Sequence, residues 1–282
     1  MAFLSSAPRL TTASNEPARW PANTGAPLAQ AIPGSQRGVR MDLQIDLRYE
    51  IDSYGADFVF NIHAAQTPHQ IVYNERLVLS QDIPHQIHTD PATGNRYLRL
   101  HGEPGMLELT YSATVDIRHH RADPTQLAEV PVRHLPPHVM GYIYPSRYCQ
   151  SDRLLRLALN EFGALWQGHS RVQAIRDWVN RHVAFTSNTS NSNTSAVDTL
   201  VEQVGVCRDF AHLMIALCRA VNIPARFTTG TDYGADPALG PPDFHAYVEV
   251  YLGDRWYLFD PSGTAIPLSL IHISEPTRLL SI

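Results

Sequence analysis

The sequence predicts an α+β protein built in two parts. Three observations carry this. Between Leu43 and Ile117 apolar residues recur at every second position, in short runs broken by turn residues. Between Leu154 and Val221 they recur at three and four residues, the spacing of helices. From Phe244 to Asp260 the period returns to two around Gly253-Asp254, the pattern of a β-hairpin. The chain has 282 residues, 44% of them hydrophobic. That length suits about two domains, and the apolar fraction suffices for packed cores.

Residues 1–40 are rich in Ala, Pro, Ser and Thr and lack periodicity, so they read as a disordered or non-native leader. Met41 opens the first patterned stretch and is a candidate natural start. Leu43, Ile45, Leu47 and Tyr49 alternate with polar residues. Further strands are expected at Ala56–His63, Gln70–Leu79, Tyr97–His101 and Met106–Ile117. Turns at Pro91-Ala-Thr-Gly and Gly102-Glu-Pro-Gly separate the last of these. Residues 41–132 therefore read as a small all-β domain, a sandwich or a barrel. Pro131, Pro136, Pro137 and Pro145 mark residues 133–150 as an extended linker.

The second part is expected over 151–266. Ser151-Asp152 can cap a helix whose apolar face is Leu154, Leu155, Ala158, Leu159 and Phe162. A second helix runs from about Ser170 to His182 with Val172, Ile175, Trp178 and Val179 on one face. Thr186–Ser195 is almost wholly Ser, Thr and Asn and reads as a loop. A short helix at Ala196–Glu202 leads into Gly205-Val-Cys-Arg-Asp-Phe-Ala-His. There Phe210, Leu213, Met214, Leu217 and Val221 give helical spacing, and Asn222 and Pro224 end it.

Cys207 lies where that helix begins. Unpaired N–H groups and the positive end of the helix dipole favour thiolate there, and the thiolate is the nucleophile. A free cysteine is most often a small buried apolar residue, which suits Cys218 in mid-helix better than Cys207 at its start. Downstream, His245, Tyr247, Glu249 and Tyr251 alternate with Ala246, Val248, Val250 and Leu252. If Gly253-Asp254 is the loop, Leu252 pairs with Arg255 and Tyr247 faces Asp260. Asp260 then shares a sheet face with His245, one step along the diagonal. A slip of one residue would put them on opposite faces. A strand histidine or an Asp-Pro turn is ordinary taken singly. Cysteine at a helix start, histidine on a strand and aspartate ending the next strand, in that order, is the layout of a thiol nucleophile with an oriented base. Asp209 reads as a stabiliser of the helix start and is not counted as catalytic.

The segments G-V-C-R-D-F-A-H, I-P-A-R, F-H-A-Y-V-E-V-Y and W-Y-L-F-D-P-S resemble the core of the bacterial transglutaminase-like superfamily, which groups transglutaminases with papain-like cysteine peptidases. The resemblance spans about Leu154 to Gly263. It implies Cys207 as nucleophile, His245 as general base then acid, and Asp260 as the group that holds the imidazole. It implies a cysteine helix packed on an antiparallel sheet. The region before it is similar to the small β domain that often precedes this core. The activity implied is acyl transfer on amide bonds through a thioester, read as hydrolytic, on a protein or peptide substrate. Transfer to an amine and a non-enzymatic binding module that keeps the fold are the alternatives. No cofactor is implied.

Net charge is −5 with no basic block, which argues against nucleic acid and against an anionic membrane surface. The 3 cysteines are scattered, without zinc spacing, and fit a reducing compartment such as the cytoplasm. The loop 232–242, rich in Gly and Pro just before His245, is expected to wall a substrate cleft. Residues 267–282 show no strand–turn logic and are similar to translated sequencing-adapter DNA. They are expected to be a non-native tail, with the natural chain continuing differently.

Overall fold

The computed structural model describes residues 3–4, 39–67, 69–91, 93–118, 120–231, 244–263 and 273–274. The chain divides near Arg121 into two compact units.

In the first unit β1 (Phe3–Leu4), β2 (Val39–Ile51), β3 (Ala56–Phe60), β4 (Gln70–Leu79), β5 (His85–Thr89), β6 (Arg96–Gly102) and β7 (Gly105–Ile117) form two sheets. One has the order β1-β2-β7-β4, the other β3-β6-β5, and all pairings are antiparallel. The alternation read from Leu43 sends Met41, Leu43, Ile45 and Leu47 inward, against Leu107, Leu109, Tyr111, Ala113 and Val115 of β7. Tyr49 joins the sheets by packing on Phe58 and Phe60, ring centroids 5.1 and 5.5 Å apart. This is a sandwich. The first long strand begins at Val39, two residues before the expected opening at Met41.

A polar cluster sits in it, with Tyr111, His63 and Arg96 buried and Glu75 at its exposed end. Tyr111 donates to Glu75 at 2.7 Å, Arg96 pairs with Glu75 at 2.5 Å, and His63 lies against the Tyr111 ring. Burial, aided by the Arg96 charge, pushes the His63 imidazole down to about 4.

The second unit holds α1 (Pro137–Met140), α2 (Ser151–Phe162), α3 (His169–His182), β8 (Ala184–Phe185), α4 (Ala196–Glu202), β9 (Val204–Gly205), α5 (Cys207–Ala220), β10 (Ala225–Thr231), β11 (Phe244–Leu252), β12 (Arg255–Phe259) and β13 (Ile273–Ser274). The sheet order is β12-β11-β10-β13, and β8 pairs with β9 in parallel.

Three expectations change here, and one feature of α5 is new. The proline-rich stretch is folded into this unit. Leu135 and Val139 are buried with Tyr251, while the Glu129 carboxylate accepts from Arg171 and from the Gly168 N–H. Proline restricts φ but also starts short helices, as Pro137 does at the first turn of α1. Ser151 is the first residue of α2 and buried, and it forms no cap. Leu155 and Leu159 face outward, leaving Leu154, Ala158 and Phe162 on the inner stripe. Finally, α5 is buried on every side from Asp209 to Ala220, including His212 and Arg219. A helix buried all round is the centre of its domain, and α2, α3, α4, β10 and β11 pack on it.

Candidate active site

The candidate site is built around the start of α5. Asp209, wholly buried in the first turn, accepts from the Val206 N–H at 2.9 Å and from Ser190 Oγ at 2.8 Å. Arg208 reaches from the same turn to Ser190 Oγ and to the Asn191 carbonyl. The polar loop is thus tied by hydrogen bonds to the two residues that follow Cys207. Gly205 makes this approach possible, since a Cβ there would stand 2.7 Å from Asp209 Cβ. Cys207 is half-buried; Cys149 and Cys218 are buried. Burial pushes the Cys218 thiol well above its ordinary range.

The hairpin has the expected register. Leu252 pairs with Arg255 and Val248 with Phe259, so the pairing continues toward Tyr247 and Asp260. His245 Nε2 lies 3.3 Å from Asp260 Oδ1. Both side chains are largely buried, at 11% and 4% exposure. The expected in–out alternation of β11 does not hold, because both faces are covered. Val248 and Val250 enter the main core, and Tyr251 packs with Leu135 and Val139.

Segment lengths bring the helix start to the His245 end of the sheet. α5 ends at Ala220, turns through Asn222 (φ 61°) and enters β10 at Ala225, which pairs with Val250. Its 14 residues run back about 20 Å at 1.5 Å per residue. Along β10 that length reaches the last two residues, Gly230 and Thr231, about 17 and 20 Å from Ala225 at 3.4 Å per residue, and these pair with His245 and Phe244.

Three contributors were missed in the sequence. Ser262 donates its backbone N–H to Asp260 Oδ1 at 2.9 Å and its hydroxyl to the same oxygen at 2.6 Å. From α3, Arg176 Nε donates to the Asp260 carbonyl at 2.7 Å, and Asn180 Nδ2 donates to the Pro261 and Ser262 carbonyls at 3.1 and 2.8 Å. Gly263, at φ +68°, lets the turn lie close under α3; a Cβ there would meet Asn180 Nδ2 at 2.9 Å. Ser262 and Gly263 follow Asp260-Pro261 directly, where a turn could have been read. Nothing in the α3 pattern marks Arg176 or Asn180, which lie more than eighty residues away.

His212 belongs to the quoted cysteine motif but has a structural place. It stacks on Tyr148 with ring centroids 5.1 Å apart. Burial, with the charges of Arg208 and Arg219, pushes it down to about 3. Among the described residues no group of three or more His, Cys, Asp or Glu could hold a metal ion. No described helix is long and apolar enough to cross a membrane. The expected cleft wall at 232–242 lies outside the described residues, as do 267–272 and 275–282 of the tail. Ile273 and Ser274 pair with Thr229 and Thr228 of β10.

A helix of this kind on an antiparallel sheet, with a histidine on one strand and an aspartate just past the end of the next, defines a transglutaminase-like protein. The family model described as the transglutaminase-like superfamily matches residues 163–261. The model for the bacterial transglutaminase N-terminal domain matches residues 39–138. A Cytophaga hutchinsonii structure described as a "putative cysteine protease" is 38% identical, covering 84% of this chain and 81% of its own, with a TM-score of 0.79. An uncharacterized protein of Mycobacterium leprae is 30% identical over 96 residues, and the uncharacterized YebA of Bacillus subtilis is 28% identical over 148 residues. The chain spans only 34% and 19% of the lengths of these two relatives. The chain belongs to the transglutaminase-like superfamily.

Proposed function

We propose that this protein is a thiol-dependent acyl-transfer enzyme that hydrolyses amide bonds in proteins or peptides, with Cys207, His245 and Asp260 as its triad. The observation that carries the reading is the buried His245–Asp260 contact; segment lengths argue that the first turn of α5 lies at that end of the sheet. With Nε2 held by Asp260, the imidazole meets the thiol through Nδ1. Cys207 thiolate attacks the amide carbonyl carbon. As the C–N bond breaks, His245 Nδ1–H protonates the leaving amine, and the acyl group remains as a thioester. His245 then removes a proton from water, whose oxygen attacks the thioester. The acid leaves and the thiolate returns. The Cys207 backbone N–H, at the first helical position, supports the oxyanion. These steps use no metal or organic cofactor. The cytoplasm, nucleic-acid independence and membrane independence remain part of the same reading, drawn from cysteine usage and charge.

Likeness to the Cytophaga structure, named for proteolysis, favours hydrolysis over transfer to an amine. The test is mass spectrometry of a glutamine-containing peptide library with a labelled primary amine, comparing the parent with Cys207→Ala. Cleaved or deamidated peptides that vanish in the variant are expected. Amine adducts that vanish would instead make the enzyme a transglutaminase. Silence from the parent across both product types would reduce the protein to a binding module.

A further inference from the structure

We propose that Ser262 is a positioning residue for the thiol chemistry, sharing with Asp260 the task of orienting His245; this rests on the triad reading above. Ser262 Oγ lies 3.2 Å from His245 Nε2, as near as the carboxylate oxygen at 3.3 Å. Its hydroxyl hydrogen is committed elsewhere, because the 2.6 Å contact to Asp260 Oδ1 is a short charge-assisted bond with the hydroxyl as donor. The serine oxygen therefore turns a lone pair to Nε2–H, and that N–H is shared between two acceptors. A direct imidazole–carboxylate bond would usually lie nearer 2.7–2.9 Å. The serine stands in the gap.

The hydroxyl is not needed to form the turn. The Ser262 N–H already binds Asp260, and α3 holds the carbonyls of Asp260, Pro261 and Ser262 through Arg176 and Asn180. All of these are contacts to backbone at 262 or to its neighbours, so alanine at 262 keeps them. What alanine removes is one of two acceptors for Nε2–H, together with the hydroxyl bond that steadies Asp260 Oδ1. The ring is then freer to turn about its Cβ–Cγ bond, and Nδ1 spends less time aimed at the thiol. The ion pair of thiolate and imidazolium is weakened without change to the nucleophile or to a substrate pocket. Among the described residues, Asp260 itself and Arg176, which donates to the Asp260 carbonyl and pairs with Asp177, are charged groups at this turn.

The experiment is the rate of Cys207 alkylation by iodoacetamide at pH 6, read by mass spectrometry of the Cys207 peptide in the full chain. Parent, His245→Ala, Ser262→Ala, Ser262→Thr and Ser262→Val are compared. Ser262→Ala is expected to slow alkylation about three- to tenfold, the worth of one hydrogen bond of this class. Threonine restores the parent rate. Valine, with threonine's shape and no hydroxyl, tracks alanine, which separates the hydroxyl from simple packing. In turnover, kcat falls and KM holds. If alanine and valine alkylate at the parent rate or faster, while the parent still outpaces His245→Ala, the role of Ser262 is wrong and the triad stands. If the parent is no faster than His245→Ala, the triad reading fails and takes this proposal with it.

Discussion

Asp209 and Asp260 are both buried carboxylates near the proposed reacting groups, yet their partners separate them. Asp209 faces a backbone N–H, Ser190 and Arg208, all within the helix start and its loop. Asp260 faces His245. Asp209→Ala should therefore act on stability, costing about 2–4 kcal/mol because donors that it satisfied are left buried without it. Urea unfolding measures this; a loss below 1 kcal/mol would mean that water replaces the carboxylate. Asp260→Asn should leave stability nearly unchanged and cut kcat by on the order of a hundredfold or more, through loss of the oriented imidazole. Cysteine labelling separates the thiols in the same way. Cys207 should react below the ordinary thiol range near 8.5, and Cys218 last, since burial holds its proton on.

At the level of elements, the turn after β12 is held by α3, and α3 is where its geometry is set. Gly263→Ala introduces a side chain at φ +68° and against Asn180. A strained left-handed residue costs about 1–2 kcal/mol, and the turn that carries Asp260 and Ser262 must shift to relieve it. Activity should fall further than the thermal midpoint predicts. Asn180→Ala should produce the same split by releasing two carbonyls of the turn. A variant of either residue whose activity tracks its folded fraction would show that the clamp is only structural. The hairpin register was legible beforehand, because the side-chain period of a strand is two and Gly253-Asp254 left little choice of loop. The clamp was not legible, because α3 has a helical pattern that serves its core face and gives no sign of what its other face grips.

Across the whole molecule, each unit encloses a histidine that burial keeps neutral: His63, pushed down to about 4, and His212, pushed down to about 3. An unfolded histidine titrates near 6.5. Above that value both states are neutral and stability does not depend on these groups. As pH falls below it, the unfolded chain takes up protons that the native units refuse, so stability drains away until the folded values are reached. By pH 5 the loss approaches about 2 kcal/mol per histidine. Unfolding midpoints in urea at pH 7.5, 6.5, 5.5 and 5 should fall across the last three, and His63→Gln with His212→Gln should flatten the fall. A parent protein equally stable at 6.5 and 5 would contradict the burial of both rings.

The sequence by itself determined the strand-rich first unit, the helix that opens at Cys207, the hairpin and the family. These follow from periodicity, turn residues and short motifs, which are local properties of the chain. Only the tertiary structure decided that α5 is enclosed on all sides, that both faces of β11 are covered, and that the proline-rich stretch packs beneath Tyr251. Only it decided which hydroxyl stands beside His245 and which helix holds the Asp260 turn. Burial and side-chain partnership depend on what arrives from distant parts of the chain. The same alternation on β11 serves one covered face or two, and a serine after Asp-Pro gains its meaning from the imidazole that β11 brings beside it.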